Sequence, residues 1–460
     1  MTQIFEDPIK LLLISLILLV FQKSNLSQWS IEDTLYNGDG FFQFVSTVDS
    51  SIVWAAGSSW STGEKLLYRR SPTGIWSSIP LNGIPGNQQI TCLSGINSQT
   101  AIIGVGQGNA SLYRTTNAGI AWQIVANTGG TNGYFNDVRF SRIHPAYGYA
   151  WSDPPLGIGN PFKIFKTSNY GQNWIEFNFL YNSNYIGASP SICVTDSNHA
   201  WFGLNKNLGG SDYGKILFTS NGGISFSVIS IPLLGNFVNS VEFNSNNMLG
   251  YASVSEQSAY YAKTTNFGIN WVTINPGFTI SSCKRIISIP NSDTWYALNT
   301  ATSIDNRIYR STNAGQVWLP MQLPGGQYDV KFMDAVRENN YSYVYAVTTL
   351  GYVLRLRDSI TLVGISSNNS AIPTNFELQQ NYPNPFNSQT VIEYSVFRKG
   401  LVSITLHDVL GRKIMNIEGS VKNPGHYSVQ LDCGNLTSGV YFYKMYASDF
   451  TDVKKLIIIK

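Results

Sequence analysis

The 460 residues carry 43% apolar side chains, enough for buried cores and too many for a disordered or collagen-like chain. Charged residues make up 12%, about half the ~25% of an average protein. The formal net charge is +3 with no long basic run, so the chain lacks the electrostatic footprint of a nucleic-acid binder.

At roughly 100–200 residues per domain, the length allows two to four domains. Leu11 to Phe21 form an apolar run behind Lys10. A helix crossing a bilayer needs about 20 apolar residues, so this run suits the core of a secretory signal peptide instead. Residues 1–28 are therefore expected to be the signal peptide, with cleavage near Ser24 to Ser27. No later segment is long and apolar enough for a membrane helix, so none is expected once the signal is removed.

Residues 29–360 contain an internal repeat. Five segments align without gaps: TTNAGIAW (115–122), TSNYGQNW (167–174), TSNGGISF (219–226), TTNFGINW (264–271) and STNAGQVW (311–318). A shortened copy is SPTGIW (71–76). From Trp76 to Trp318 the closing aromatics recur five times, about every 48 residues. Apolar strands precede each box and a further strand follows it. Four short strands at this period predict a propeller blade. The span predicts seven blades, the last ending without a box. WSIED (29–33) begins with Trp, as the strands after the boxes do, and is expected to complete blade seven and remove two free sheet edges.

The box chemistry is structural. Asn117, Asn169, Asn221, Asn266 and Asn313 bond back to their own turn. Gly119, Gly171, Gly223, Gly268 and Gly315 supply positive φ without steric cost. Trp122, Trp174, Phe226, Trp271 and Trp318 pack back into the blade. Cys92, Cys193 and Cys283 align with Val138, Val241 and Val330, which predicts buried free thiols. Arg70, Arg114 and Arg310, just before boxes, read as solvated strand positions. The four histidines (144, 199, 407, 426) have no ligand spacing, no phosphate loop is present, and no cofactor, metal or catalytic set is expected.

The boxes resemble the Asp-box, or bacterial neuraminidase repeat, with Asn in place of Asp. With the aromatic strands they are similar to the photosystem II assembly-factor family of seven-bladed propellers in the sialidase-like superfamily. The resemblance implies fold and leaves activity open. Sialidases carry an F/Y-R-I-P motif, and the nearest string here, FSRIHP (140–145), is broken by Ser141 and His144. Xyloglucanase-like enzymes use two propellers, and this chain has one.

In a propeller the loops joining strands two and three, and strands four and one, lie opposite the box hairpins. On that face Trp60, Tyr134, Tyr181 and Tyr185 are candidates to stack on sugars or touch a partner. Asp153 and Asp212 are the candidate polar contacts. The favoured expectation is a non-catalytic glycan- or protein-binding propeller whose partner is an unknown glycan or envelope protein. The alternative is a glycan-active hydrolase. It requires two or more carboxylates in the central mouth, about 5–9.5 Å apart.

Residues 361–375 show no strand alternation and read as a linker. Residues 376–460 then alternate as strands punctuated by glycines, which predicts a small Ig-like β-sandwich. This module resembles the type A sorting domain of the type IX secretion system of Bacteroidota. The resemblance rests on Asn381, Tyr382, Pro383, Asn384, Pro385, Phe386 and Asn387, then Asp408, Gly411, Gly439, Tyr441 and the KKLIIIK end. His407 and Cys433 depart from the usual Tyr and Gly. It implies Sec export to the periplasm and passage through the outer membrane. It also implies partners in the secretion machinery and its sortase, and a secreted or surface-attached product.

Overall fold

The computed structural model describes residues 29–459, except 60, 87, 107, 158, 181–184, 207–212, 235–237, 246, 255–260, 277–281, 303–304, 325–327, 361–374, 382–383, 388, 435 and 449. The signal peptide, nearly all of the linker, and Trp60, Tyr181, Asp212, Tyr382 and Pro383 lie outside the described residues. The chain divides into two compact units, 1–363 and 364–460.

The first unit is a seven-bladed β-propeller. Its described strands form seven four-stranded antiparallel sheets. The innermost strands are Gly40–Thr47, Ile90–Gly95, Phe135–Phe140, Tyr185–Val194, Val238–Phe243, Ser282–Ser288 and Val330–Glu338, for blades one to seven. Each touches the next, and the last touches the first, so they line a closed ring. Blade seven is completed by Ser30–Thr34, which pairs antiparallel with Tyr352–Ser359. Its Glu32 accepts from Arg70 of blade one at 2.6 Å and faces Arg355 of blade seven at 3.5 Å. The closing strand thus ties the ring's ends through backbone and through charge.

Each box builds one hairpin the same way. Thr264 Oγ1 accepts the N–H groups of Asn266 (3.3 Å) and Gly268 (3.0 Å) and donates to Asn266 Oδ1. Asn266 Oδ1 also accepts the N–H of Asn270 at 3.0 Å. The other four full boxes repeat this set. An Asp at this position would accept the same bonds. The glycine of every full box has positive φ, and so does the residue before it, including Ala118, Tyr170, Phe267 and Ala314. At Gly315 a Cβ would also collide with the Tyr251 hydroxyl oxygen.

The closing aromatics reach further than the sequence suggested. Trp122 of blade two sits edge-on against Trp54 of blade one, and Trp318 of blade six against Tyr251 of blade five. Trp174 and Trp271 meet Phe140 and Phe243 of their own blades. The cations before the boxes are half-buried or buried and bonded to protein groups, contrary to the expectation of solvated positions. Arg114 Nε donates to the Tyr170 carbonyl of the next blade's box at 2.9 Å, and Lys166 Nζ to that of Gly222 at 2.9 Å. Arg70 is buried against Glu32 and the Ser51 carbonyl, and Arg310 pairs with Asp358. Extended side chains at a blade's edge are within reach of the neighbour's orphan carbonyls, and burial there favours using them.

The second unit has one sheet of Glu377–Leu378, Gln389–Val396 and Gly425–Asp432, and another of Lys413–Lys422, Gly400–His407, Gly439–Ala447 and Phe450–Ile458. Its core includes Ile392, Tyr394, Ile404, Leu406, Tyr443, Met445 and Leu456.

Glu32→Ala leaves Arg70 buried without its carboxylate, a loss of about 3 kcal/mol by comparison with other broken buried pairs. Calorimetry should show the propeller melting several degrees lower, and Glu32→Leu with Arg70→Met should recover most of the loss. Asn266→Ala should cost about 1–2 kcal/mol in the same assay, while Asn266→Asp should lie within about 0.5 kcal/mol of the parent.

Candidate functional site

Every inner strand carries a register shift near its start, for example between Phe135 and Asp137, Val238 and Ser240, Cys283 and Arg285, and Val330 and Phe332. Such bulges re-aim the following side chains. They set charged residues of a nominally apolar strand toward the ring's centre: Asp137 and Arg139 of blade three, Glu242 of blade five, Arg285 of blade six and Asp334 of blade seven. They also correct the cysteine alignment. Cys283 matches Val330, but Cys92 holds the register of Asp137 and Cys193 that of Glu242. All three are buried free thiols. Burial pushes Cys283 up to about 12 and raises Cys92 and Cys193 further, so none is a thiolate nucleophile near neutral pH.

The acceptors at these positions bond the backbone of the next blade. Asp334 takes the Thr47 N–H (2.8 Å), Ser46 that of Gly95 (2.9 Å), and Asp137 that of Ile192 (3.1 Å). Cys193 Sγ takes the Phe243 N–H (3.4 Å), Ser240 that of Ile286 (3.0 Å), and Glu242 that of Ser288 (3.3 Å). Inner strands of adjacent blades share no ladder, and these side chains satisfy amides that would otherwise be orphaned. Three carboxylates therefore gather in the channel, each engaged in joining blades.

Three guanidiniums accompany them. Arg139 pairs with Asp137 at 3.4 Å. Arg142, from the FSRIHP string, crosses from blade three to donate to Asp334 (2.8 Å) and to the carbonyls of Ala335 (2.8 Å) and Ser288 (3.3 Å). Arg285 and Arg139 both lie over the ring of Phe332, at 5.0 and 5.2 Å.

A cavity of about 150 Å³ sits among these groups, lined by Ser46, Ser141, Arg142, Thr195, Glu242, Arg285 and Asp334, among others. Its lining includes the ends of inner strands that lead into the hairpins between strands one and two. In an antiparallel blade those hairpins and the box hairpins share one end. The cavity therefore opens on the box face.

The sequence-based candidates lie elsewhere. Tyr134 and Asp153 adjoin at the start of blade three, on the opposite face. The Asp153 N–H donates to the Tyr134 carbonyl (3.0 Å), and Asn136 donates to Asp153 (2.8 Å). Burial holds the Tyr134 phenol up to about 12. Tyr185 opens the inner strand of blade four, opposite Lys206. The channel charges escaped the sequence reading because they stand inside strands identified by apolar alternation. The one available signal was a charge in mid-strand: NDVRF, NSVEF, SSCKR and FMDAV.

In the second unit, the sorting motif clamps the last strand. The Asn384 side chain donates to the Lys455 carbonyl (3.0 Å) and accepts the Ile457 N–H (2.8 Å). The Phe386 N–H donates to Ile457 (3.1 Å), and Ile459 donates back to Phe386 (2.8 Å). Asn381 is buried, its N–H on the Tyr443 hydroxyl at 2.6 Å. Asp408 accepts Leu410 and Arg412 amides around Gly411 (φ +78), and Tyr441 donates to the Thr437 carbonyl. Pro385, Asn387 and Gly439 belong to the same entry and strand segments.

Residues 380–459 match the sequence model of the secretion system C-terminal sorting domain. No curated protein matches the chain. Among solved structures, YCF48 bound to D1 peptide is 12% identical, with a TM-score of 0.50, covering 74% of this chain and 97% of that one. YCF48 from Cyanidioschyzon merolae is 12% identical, with a TM-score of 0.48, covering 72% and 98%. At such identity the likeness to the first shows the propeller fold alone. The chain thus couples a seven-bladed propeller to a module of the type IX sorting kind, and that module indicates export to a secreted or outer-surface location.

Proposed function

We propose that the propeller is a non-catalytic recognition module, carried out of the cell by its sorting domain, that binds a glycan or an envelope protein. In this reading residues 1–28 direct Sec export, and the sortase of the type IX pathway processes the C-terminal unit. The observation that carries the reading is the engagement of Asp137, Glu242 and Asp334: each accepts backbone amides of the neighbouring blade. A carboxylate holding the ring together is poorly placed to move or to shuttle protons.

The box face supplies the recognition surface. Isoleucines at one box position stand exposed at the hairpin tips: Ile75, Ile120, Ile224 and Ile269. They add exposed apolar contacts to the face on which the cavity opens. The peptide held by YCF48 makes an extended polypeptide one class of partner to test. The convergence of three carboxylates favours one second reading, glycan hydrolysis.

One experiment separates the two. The chain from Trp29 onward is incubated with a panel of polysaccharides and with envelope fractions, and retention and newly released reducing ends are scored together. Retention without release is expected. Released ends would contradict the reading and direct substitution to Asp137, Glu242 and Asp334. Retention lost in Tyr134→Ala, with Ile120→Ser and Ile269→Ser unaffected, would move the recognition surface to the opposite face.

A further inference from the structure

Arg285 stands at an inner-strand position where two other blades place an acceptor. Its register is that of Asp137 and Ser240, whose side chains accept an amide from the next blade. A guanidinium only donates, so it cannot play that part. Arg285 is 1% exposed, and among the described residues it makes no ion pair and its Nε and Nη1 have no hydrogen-bond partner. The other two channel arginines are spent, Arg139 on Asp137 and Arg142 on Asp334.

A buried cation without an acceptor is costly, and a second one nearby makes it worse. Arg139 shares the Phe332 ring with Arg285. Burial first, then the like charge of Arg139, push Arg285 down to about 10 against the attraction of Glu242, Asp334 and Asp137, so it is still cationic at neutral pH. Arg285 is one of the residues that line the cavity on the box face. The neighbouring lining carries the hydroxyls of Ser46 and Ser94, which can donate to an anion's remaining lone pairs. A volume of about 150 Å³ admits a carboxylate and the few atoms attached to it. It is too small for a whole drug-sized ligand, whose pockets run to ~300–1,000 Å³.

We infer that the mouth on the box face is a carboxylate-binding pocket, with Arg285 as its anchor. The ligand's carboxylate enters between the inner strands and pairs with the charge of the Arg285 guanidinium. The rest of the ligand stays outside, over the hairpin tips. This deepens the recognition reading above and rests on it. A carboxylate of this kind is offered by an acidic sugar or by a peptide C-terminus, and the test distinguishes them.

The chain from Trp29 onward is titrated calorimetrically with glucuronate against glucose, and with N-acetylalanine against N-acetylalaninamide. A charged member should bind where its neutral counterpart does not, and the tighter of the two identifies the source. Arg285→Gln should weaken that binding more than tenfold. Equal binding of charged and neutral members, absence of binding by either carboxylate, or unchanged binding in Arg285→Gln would overturn the inference. If Arg285→Gln does not fold, wild-type crystals soaked in the same carboxylates decide. Ligand density on the Arg285 guanidinium supports the pocket, and water alone there refutes it. Retention on polysaccharide or envelope material that persists unchanged in Arg285→Gln would refute the anchor while leaving the recognition reading standing.

Discussion

The inner edge of the ring sets the terms for everything else. Adjacent blades meet there without a β-ladder, yet their amides are buried and must be bonded. The chain meets this with side chains of the preceding blade: Asp334 to Thr47, Ser46 to Gly95, Asp137 to Ile192, Cys193 to Phe243, Ser240 to Ile286 and Glu242 to Ser288. Polar and charged residues in the channel are first of all a solution to this structural problem. A function drawn from them must come from groups the lacing leaves over, and Arg285 is such a group.

Farther out, aromatic and hairpin contacts take over the same task. Trp54 with Trp122 and Tyr251 with Trp318 join consecutive blades, as do Arg114 and Lys166 through their neighbours' box carbonyls. The closing strand Ser30–Thr34 then spares the ring a free edge. The sorting unit solves a related problem locally. Asn384 and Phe386 occupy the edge of the final strand, satisfying backbone groups that would otherwise be open.

How much the sequence revealed follows the range of each interaction. The box hairpins were legible because their hydrogen bonds span four residues and recur with fixed spacing. The closing strand was legible because Trp29 starts it as other Trp residues start the fourth strands. The sorting motif NYPNPFN was legible as a string. The channel was not, because its charges come from blades three, five, six and seven and their direction depends on bulges. A bulge leaves no mark on an alternating pattern. It also shifted Cys92 and Cys193 out of the slot expected for them. The arginines before the boxes looked solvated because the groups they bond lie 19 to 56 residues away. Tyr134 and Asp153 do sit together, but on the face away from the cavity.

Backbone hydrogen exchange followed residue by residue tests the lacing most directly. The amides of Thr47, Gly95, Ile192, Phe243, Ile286 and Ser288 face no strand partner across the blade junction. The account predicts that they exchange as slowly as the ladder amides of the same blades, and that Asp334→Ala speeds exchange at Thr47 while sparing Ile286. Fast exchange at these amides in the parent protein would contradict it.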